Sequence, residues 1–295
     1  MKVIRRAIEL GINLIDTARS YTDSEIKIGK ALKGINKKVY LASKSQNRTK
    51  EGILKDIEIS LKNLGVEQID IYQLHGINDL DTFNRVFSED GAYWGLVEAK
   101  EKGLIRFIGA SSHSTEILEK LINTDKFDVI QLCYNIIETD VEDKVFPLAL
   151  QKDIGIIAMK PVGGGVIPNA ALSLKYVLQK EFVVPDPGIE TIEELEQNVN
   201  VAMNLSPLTD DEMKEIERIR KELGKEFCRR CNYCQPCPQQ IPIWVILHAD
   251  SAMKRLPFNT LKSGWFYDAY QKAKTCIKCG GCVTRCPYNL PIPDM

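Results

Sequence analysis

Eight of the chain's nine cysteines fall in its last 68 residues, and their spacing is the densest source of chemistry in the sequence. Cys276, Cys279, Cys282 and Cys286, followed by Pro287, form CxxCxxCxxxCP. In such a run three thiolates hold one [4Fe–4S] cube and the fourth reaches a second. Upstream, Cys228, Cys231, Cys234 and Cys237 before Pro238 give CxxCxxCxxCP, one residue tighter in the last gap. Exchange of the fourth ligands gives Cys228, Cys231, Cys234 and Cys286 to one cluster and Cys276, Cys279, Cys282 and Cys237 to the other. The shorter gap leaves the exchange itself open, but two clusters are expected. Paired CxxC motifs also bind zinc, although four ligands from two such pairs leave the proline-ended runs unexplained. Gly280 and Gly281 would let backbone N–H groups approach the sulfurs.

A second group of ionisable residues is spread over the first 75 positions. Asp16, Lys44 and His75 each end an apolar run, and Tyr21 follows in the loop after the first. A phenol about 4 Å from a lysine ammonium, at an effective dielectric near 20, gains about 4 kcal/mol for its ionised form. That is enough to lower an ordinary phenol pKa near 10 by about three, which makes Tyr21 a usable general acid. Asp16 would hold Lys44 charged and aimed, and His75 could orient a carbonyl oxygen. Taken singly, each is an ordinary solvated strand end; together, at the ends of successive runs, they outline a site.

Such a site needs a scaffold that brings strand ends together. The apolar runs at 13–18, 38–44, 68–75, 105–111, 127–135, 154–160 and 182–185 make seven candidate strands, separated by helix-like stretches. Ile53, Ile57 and Leu61 recur every four residues in 49–63, and 191–202 opens with the capping box Thr191–Glu194. Continuous β-branched runs between helices suggest strands buried on both faces, hence a parallel sheet. The expected fold class is α/β, a (β/α)8 TIM barrel lacking its first strand in this chain, because a helix at 2–10 stands where the first strand belongs. An upstream start is therefore expected. A charged helix from about Thr209 to Leu223 reads as a linker, which divides the chain into a barrel at 1–222 and a small, mainly α-helical, ferredoxin-like iron–sulfur domain at 223–295. Trp244, Leu247, Trp265 and Tyr270 are the candidate core of that domain, which is small enough to need bound clusters as staples.

The 295 residues are 44% hydrophobic and 27% charged, ordinary for a globular protein. No run of eighteen apolar residues suggests a membrane span, and MKVIRRAIEL lacks the features of a secretory signal, so a cytoplasmic location is expected. Residues 1–227 carry 30 basic against 37 acidic side chains, whereas 228–295 carry 9 against 3. That basic excess is small, without a run of five, and offsets the charge of about −2 on each oxidised cluster, so no nucleic-acid partner is expected. Cys133 reads as core, His113 as a loop residue and His248 as a helix-surface group.

The stretches AIELGINLIDTARSY, DIYQLH and FIGASSH, with the strand end at Lys44, resemble the aldo-keto reductase family over roughly residues 1–205. The tail resembles a dicluster ferredoxin of the α-helical type, as in the branch of that family with a C-terminal iron–sulfur domain. The resemblance implies NAD(P)H-dependent reduction of a small-molecule carbonyl substrate, an aldehyde or ketone, with Tyr21 protonating the oxygen. It places Ser111, Ser112 and Gln131 at the nicotinamide carboxamide and Met159 where many members carry a stacking tyrosine. Lys160 and the triplet Gly163, Gly164 and Gly165 would lie by the pyrophosphate, and Gly188, Gln197 and Asn198 by the adenosine. Where members preferring the phosphorylated nucleotide often carry arginine, this chain has Glu194. Nicotinamide gives two electrons at once and each cluster takes one, so a second reading stays open: an iron–sulfur electron-transfer or assembly partner, serving another redox protein, whose barrel binds without turnover.

Overall fold

The computed structural model describes residues 1–255 and 258–295. Seven strands form one parallel sheet in chain order: β1 (Leu14–Asp16), β2 (Tyr40–Ser45), β3 (Ile69–Leu74), β4 (Ile105–Ser112), β5 (Val129–Cys133), β6 (Gly155–Met159) and β7 (Val183–Asp186). With helices between successive strands, they make a nearly closed barrel of the (β/α)8 kind, short of one strand as the seven apolar runs implied. β1 and β7 are its edges. Outside them the helices Lys2–Glu9 and Ile192–Met203 meet, and Arg6 pairs with Glu196 at 2.8 Å across the seam.

Strand register decides which side chains share the barrel mouth. Lys44 lies opposite Gln73, Ser111 opposite Gln131 and Met159 opposite Asp186. Gly109 on β4 faces both Gln73 and Val129, and a Cβ there would stand 2.8 Å from Gln73 Cγ. The glycine is what lets a long amide side chain lie inside the barrel.

The helices around the sheet follow the sequence pattern. Lys50–Leu64 starts at Thr49, whose side chain accepts from Gly52 N, and ends at Gly65 in the left-handed conformation. Its Ile53 and Ile57 are fully buried against the sheet. Ile192–Met203 and Asp210–Leu223 each open with a complete capping box, Thr191 with Glu194 and Thr209 with Glu212.

The chain divides into two compact units, one of residues 1–161 and 174–207 and one of 162–173 and 208–295. The helix Asp210–Leu223 thus groups with the cysteine-rich segment. Beyond it the second unit is helical, with short helices at Ile243–Leu247, Ala249–Arg255, Phe258–Lys262, Trp265–Ala273 and Gly281–Arg285. Its core differs from the expected one. Trp244, Trp265 and Tyr270 are exposed, and the neighbouring Val245, Phe266 and Ala269 are buried instead. On helices this short, a shift of one position turns the inward face, and the smaller side chains are the ones that fit. No helix among the described residues is long and apolar enough to cross a membrane.

Candidate functional site

At the carboxyl ends of β1 to β3 the structure brings Asp16, Tyr21, Lys44 and His75 together. Main-chain bonds continue the pairing past the strands: Thr17 N donates to Ala42 O, Arg19 N to Lys44 O and His75 N to Ser45 O, each at 2.9 Å. Lys44 Nζ donates to Asp16 Oδ2 and, at 3.0 Å, to Thr17 O. Both side chains of this ion pair are shut away, Lys44 at 2% and Asp16 at 5% exposure. Tyr21, 45% exposed, lies above them, with Lys44 Nζ 5.2 Å from its ring centroid. The His75 ring meets the Tyr21 ring edge-on, 5.8 Å between centroids.

The protonation states follow from these surroundings. Burial opposes the charge on Lys44, but Asp16, Tyr21 and Asp186 outweigh it and hold its pKa above the ordinary lysine value. For Tyr21 the expected loosening does not prevail. Burial raises the phenol pKa, Lys44 lowers it, and Asp16 and Asp186 raise it again, for a net rise. The phenol is therefore firmly protonated at neutral pH, the state a proton donor needs. Burial, with the positive charges of Lys44, Arg48 and Lys160, pushes His75 down to about 3. His75 is neutral, and its buried Nδ1 has no hydrogen-bond partner among the described residues.

Beneath this group lies a network of polar side chains that the sequence predicts only in part. Gln131 Nε2 donates to Asp186 Oδ2 at 3.0 Å. Gln73 Nε2 approaches Gln131 Oε1 at 3.2 Å and Asp16 Oδ1 at 3.4 Å. Gln73 and Asp186 were not among the expected site residues. The signal for Gln73 was present, because IYQLH and VIQLC each set a glutamine before leucine within an apolar strand. Asp186, between two prolines, looked like a turn residue.

Other expected cofactor contacts have local duties. Ser111 Oγ accepts from Gly76 N at 2.9 Å and Ser112 Oγ from Ser114 N at 3.0 Å, which ties the loops after β3 and β4. Lys160 Nζ lies 2.6 Å from His113 Nε2, and Met159 is half-buried at the end of β6. Gly163–Gly165 form one 3-10 turn of the second unit. Gly163 has φ +59°, and a Cβ there would stand 2.7 Å from Ile167, so left-handed backbone and close packing explain it. Gly188 has open space around it, Gln197 is exposed and Asn198 half-buried. Glu194 spends its carboxylate on the N–H groups of Glu190 and Thr191.

In the second unit the cysteines fall into two groups of four. Cys228, Cys231, Cys234 and Cys286 line a small cavity, together with Trp244, Leu247 and Tyr288. Cys237, Cys276, Cys279 and Cys282 line a larger, apolar one with Ile241, Ile277 and Arg285. Arg285 Nη2 donates to Cys234 O at 2.9 Å and to Pro236 O at 2.7 Å, which clamps the two cysteine runs together. Among the described residues no three His, Cys, Asp or Glu side chains converge as ligands of a single ion. Thiols around a cavity suit a cube whose four irons each take one sulfur; a tetrahedral zinc requires all four sulfurs about 2.3 Å from one point. Burial raises the Cys228 and Cys231 pKa values and pushes Cys234 up to about 12, so these thiols need bound metal to release their protons. His248 is not a free surface group, because its Nε2 lies 2.7 Å from Cys228 O and its ring meets Phe227 edge-on.

The profile of the aldo/keto reductase family matches residues 1–170, more than half of the chain. The chain belongs to the aldo/keto reductase family. It is an oxidoreductase of that family with a second module, since the profile of a 4Fe-4S dicluster domain matches residues 227–291. An NADH-specific methylglyoxal reductase of Escherichia coli is 28% identical over 226 residues, 66% of this chain and 67% of that protein. An uncharacterized oxidoreductase of Bacillus subtilis, YqkF, is 25% identical over 276 residues, 75% of this chain and 88% of that protein. Among solved structures, the holo form of the aldo-keto reductase AKR11C1 from Bacillus halodurans superposes with a TM-score of 0.64 at 26% identity, covering 74% of this chain and 86% of that one. In this family member the barrel accounts for the first unit and the cysteines for the second.

Proposed function

We propose that this aldo/keto reductase reduces the carbonyl group of a small aldehyde or ketone with NAD(P)H, and that its C-terminal unit carries two [4Fe–4S] clusters that serve electron transfer or structure. The observation that supports the reading most is the buried Lys44–Asp16 pair under a protonated Tyr21, with neutral His75 at the edge of the same ring. When bound, the nicotinamide supplies a hydride. Tyr21 supplies the proton to the carbonyl oxygen, and Lys44, held charged by Asp16, steadies the phenolate left behind. His75 orients the carbonyl oxygen, and being neutral it hydrogen-bonds without competing as an acid. Its unpartnered Nδ1 and the open space at Gly188 are compatible with a dinucleotide along the strand ends; Ser111, Ser112, Gln131, Met159, Lys160, Gln197 and Asn198 are its proposed contacts. Cys228, Cys231, Cys234 and Cys286 would hold one cluster and Cys237, Cys276, Cys279 and Cys282 the other. A small-molecule carbonyl partner is supported by the name of the methylglyoxal reductase relative, and an external redox protein would be the partner of the exposed cysteine group.

The test is an anaerobic assay of the cluster-loaded protein with NADH and with NADPH against small aldehydes and ketones, methylglyoxal included, recording nicotinamide oxidation and cluster absorbance together. Carbonyl-dependent oxidation that Tyr21→Phe abolishes is the expected result. Oxidation that bleaches the clusters without any carbonyl, equally in Tyr21→Phe, would replace this reading with the electron-transfer one.

A further inference from the structure

Two cations stand at the carboxyl ends of β2 and β3, and only one of them is matched. Lys44 is paired with Asp16, whereas no carboxylate among the described residues pairs with Arg48. Arg48 lies in the loop between β2 and the helix Lys50–Leu64, and its side chain reaches across to the end of β3. There Nη2 donates to His75 O at 2.7 Å and to Gly76 O at 3.2 Å. Nη1 is buried and has no hydrogen-bond partner among the described residues. A buried donor without an acceptor is costly, and a charged one most of all, so it calls for a group that completes it. Asp79, whose charge reaches Arg48, is exposed and engaged elsewhere: it caps the helix Leu80–Phe87, accepting from Thr82 N at 2.7 Å.

We propose that Arg48 determines substrate choice at this site, and that the carbonyl compound taken there carries an oxyanion, a carboxylate or a phosphate ester, which accepts a hydrogen bond from Nη1. The inference rests on the carbonyl-reductase reading above and names its substrate class. Position assigns the charge to the substrate and not to the dinucleotide. The proposed dinucleotide contacts Ser111, Gln131, Met159 and Gln197 belong to β4, β5, β6 and the helix after β7, whereas Arg48 and His75 stand at β2 and β3, on the side of Tyr21. Because Arg48 is tied to the main chain of the residue that orients the carbonyl, the oxyanion lies close to the reacting carbon, as in a small oxo acid or a phosphorylated small aldehyde. The surroundings favour such an anion. Lys44, Arg48 and Lys160 all oppose a proton on His75, so the orienting imidazole sits in a positive field. Burial lowers the Arg48 pKa, but a guanidinium starts so high that it keeps its charge.

The test compares kcat/KM of the cluster-loaded enzyme for succinic semialdehyde against its methyl ester, and for glyceraldehyde phosphate against glyceraldehyde. The ester keeps the chain and the carbonyl of the acid and removes the charge. The wild type should prefer the anion of at least one pair by about tenfold or more, and Arg48→Gln should bring that ratio close to one. The pair that shows the preference tells carboxylate from phosphate. If Arg48 only held His75 O and Gly76 O in place, its loss would slow both members of a pair alike and leave their ratio at the wild-type value. That result, or a wild type indifferent to charge in both pairs, would overturn the proposal. If Arg48→Gln fails to fold, Arg48→Lys, which keeps the charge and loses the fork, should retain only part of the ratio, and a ratio unchanged in it would count against the proposal. A wild type that reduces no member of either pair would overturn the parent reading instead. Calorimetric titration of succinic semialdehyde and its ester into wild type and Arg48→Gln then decides the anion site independently of turnover: tighter binding of the acid to the wild type alone supports it, and equal binding overturns it.

Discussion

The barrel mouth and the cysteine-rich unit are held together in opposite ways. In the barrel a continuous core of buried aliphatic and aromatic side chains fixes seven strands, and the site residues ride on their ends. Among the described residues the second unit has small knots of buried residues, and cysteines belong to two of them: Cys228 and Cys286 with Leu290, and Cys234 with Ile241 and Ile243. In one region the fold builds the site; in the other the proposed cluster ligands are themselves part of the core. The two groups of four cysteines differ as well, since Cys228, Cys234 and Cys286 are buried whereas Cys276 and Cys279 are exposed.

The largest test of this contrast is removal of iron. Anaerobic chelation should unfold the cysteine-rich unit outright, because a structural cluster's binding energy is also its folding energy. Limited proteolysis should then cut throughout the region after residue 208 and leave the barrel unit intact; a protease-resistant tail without iron would erase the distinction. The exposed group should lose its cluster first, visible as two separate phases of absorbance loss. Next in size is Tyr21→Phe, which keeps the ring and removes the proton. It should lower carbonyl reduction by about 10²-fold or more while the cluster spectrum stays unchanged. Third, Lys44→Met at pH 7 leaves Asp16 buried without its cation and should destabilise the barrel by about 3–5 kcal/mol, measured by urea unfolding. A loss well below that would mean the polar network through Gln73 and Gln131, not the ion pair, carries the site.

The same contrast explains what could be read from sequence. The cluster domain is legible because the spacing of Cys276, Cys279 and Cys282 is local, and capping boxes are legible because Thr191 and Glu194 are three residues apart. Asp16, Lys44 and His75 are legible because each ends a recognisable apolar run, and Tyr21 because it follows in the loop after the first. Gln73 and Asp186 depend instead on which strands become neighbours, a property of register that no local pattern encodes. The net direction of the Tyr21 pKa escaped for a related reason: one pair interaction can be guessed, whereas the burial that opposes it belongs to the assembled barrel. The glycine triplet at 163–165 is ambiguous in sequence because a left-handed turn and a phosphate cradle use the same residue type.

The smallest expected effect concerns His75 and separates burial from ion pairing as the source of the barrel's pH dependence. In the folded state this histidine is held at about 3 by burial and by the positive charges of Lys44, Arg48 and Lys160, against an unfolded value near 6.5. Between those values the unfolded chain binds a proton that the folded chain refuses, so stability rises with pH across that window and is fully present above about 6.5. The slope from this one group is at most about 1.4 kcal/mol per pH unit. Urea melts of His75→Gln between pH 5 and 6.5 should show a curve flatter than the wild type by about that amount, with the two converging in slope above pH 7. Parallel curves over the whole range would mean that His75 titrates normally in the folded protein. The neutral imidazole at the Tyr21 ring would then be lost, and the barrel mouth would depend on its buried carboxylates alone for its pH response.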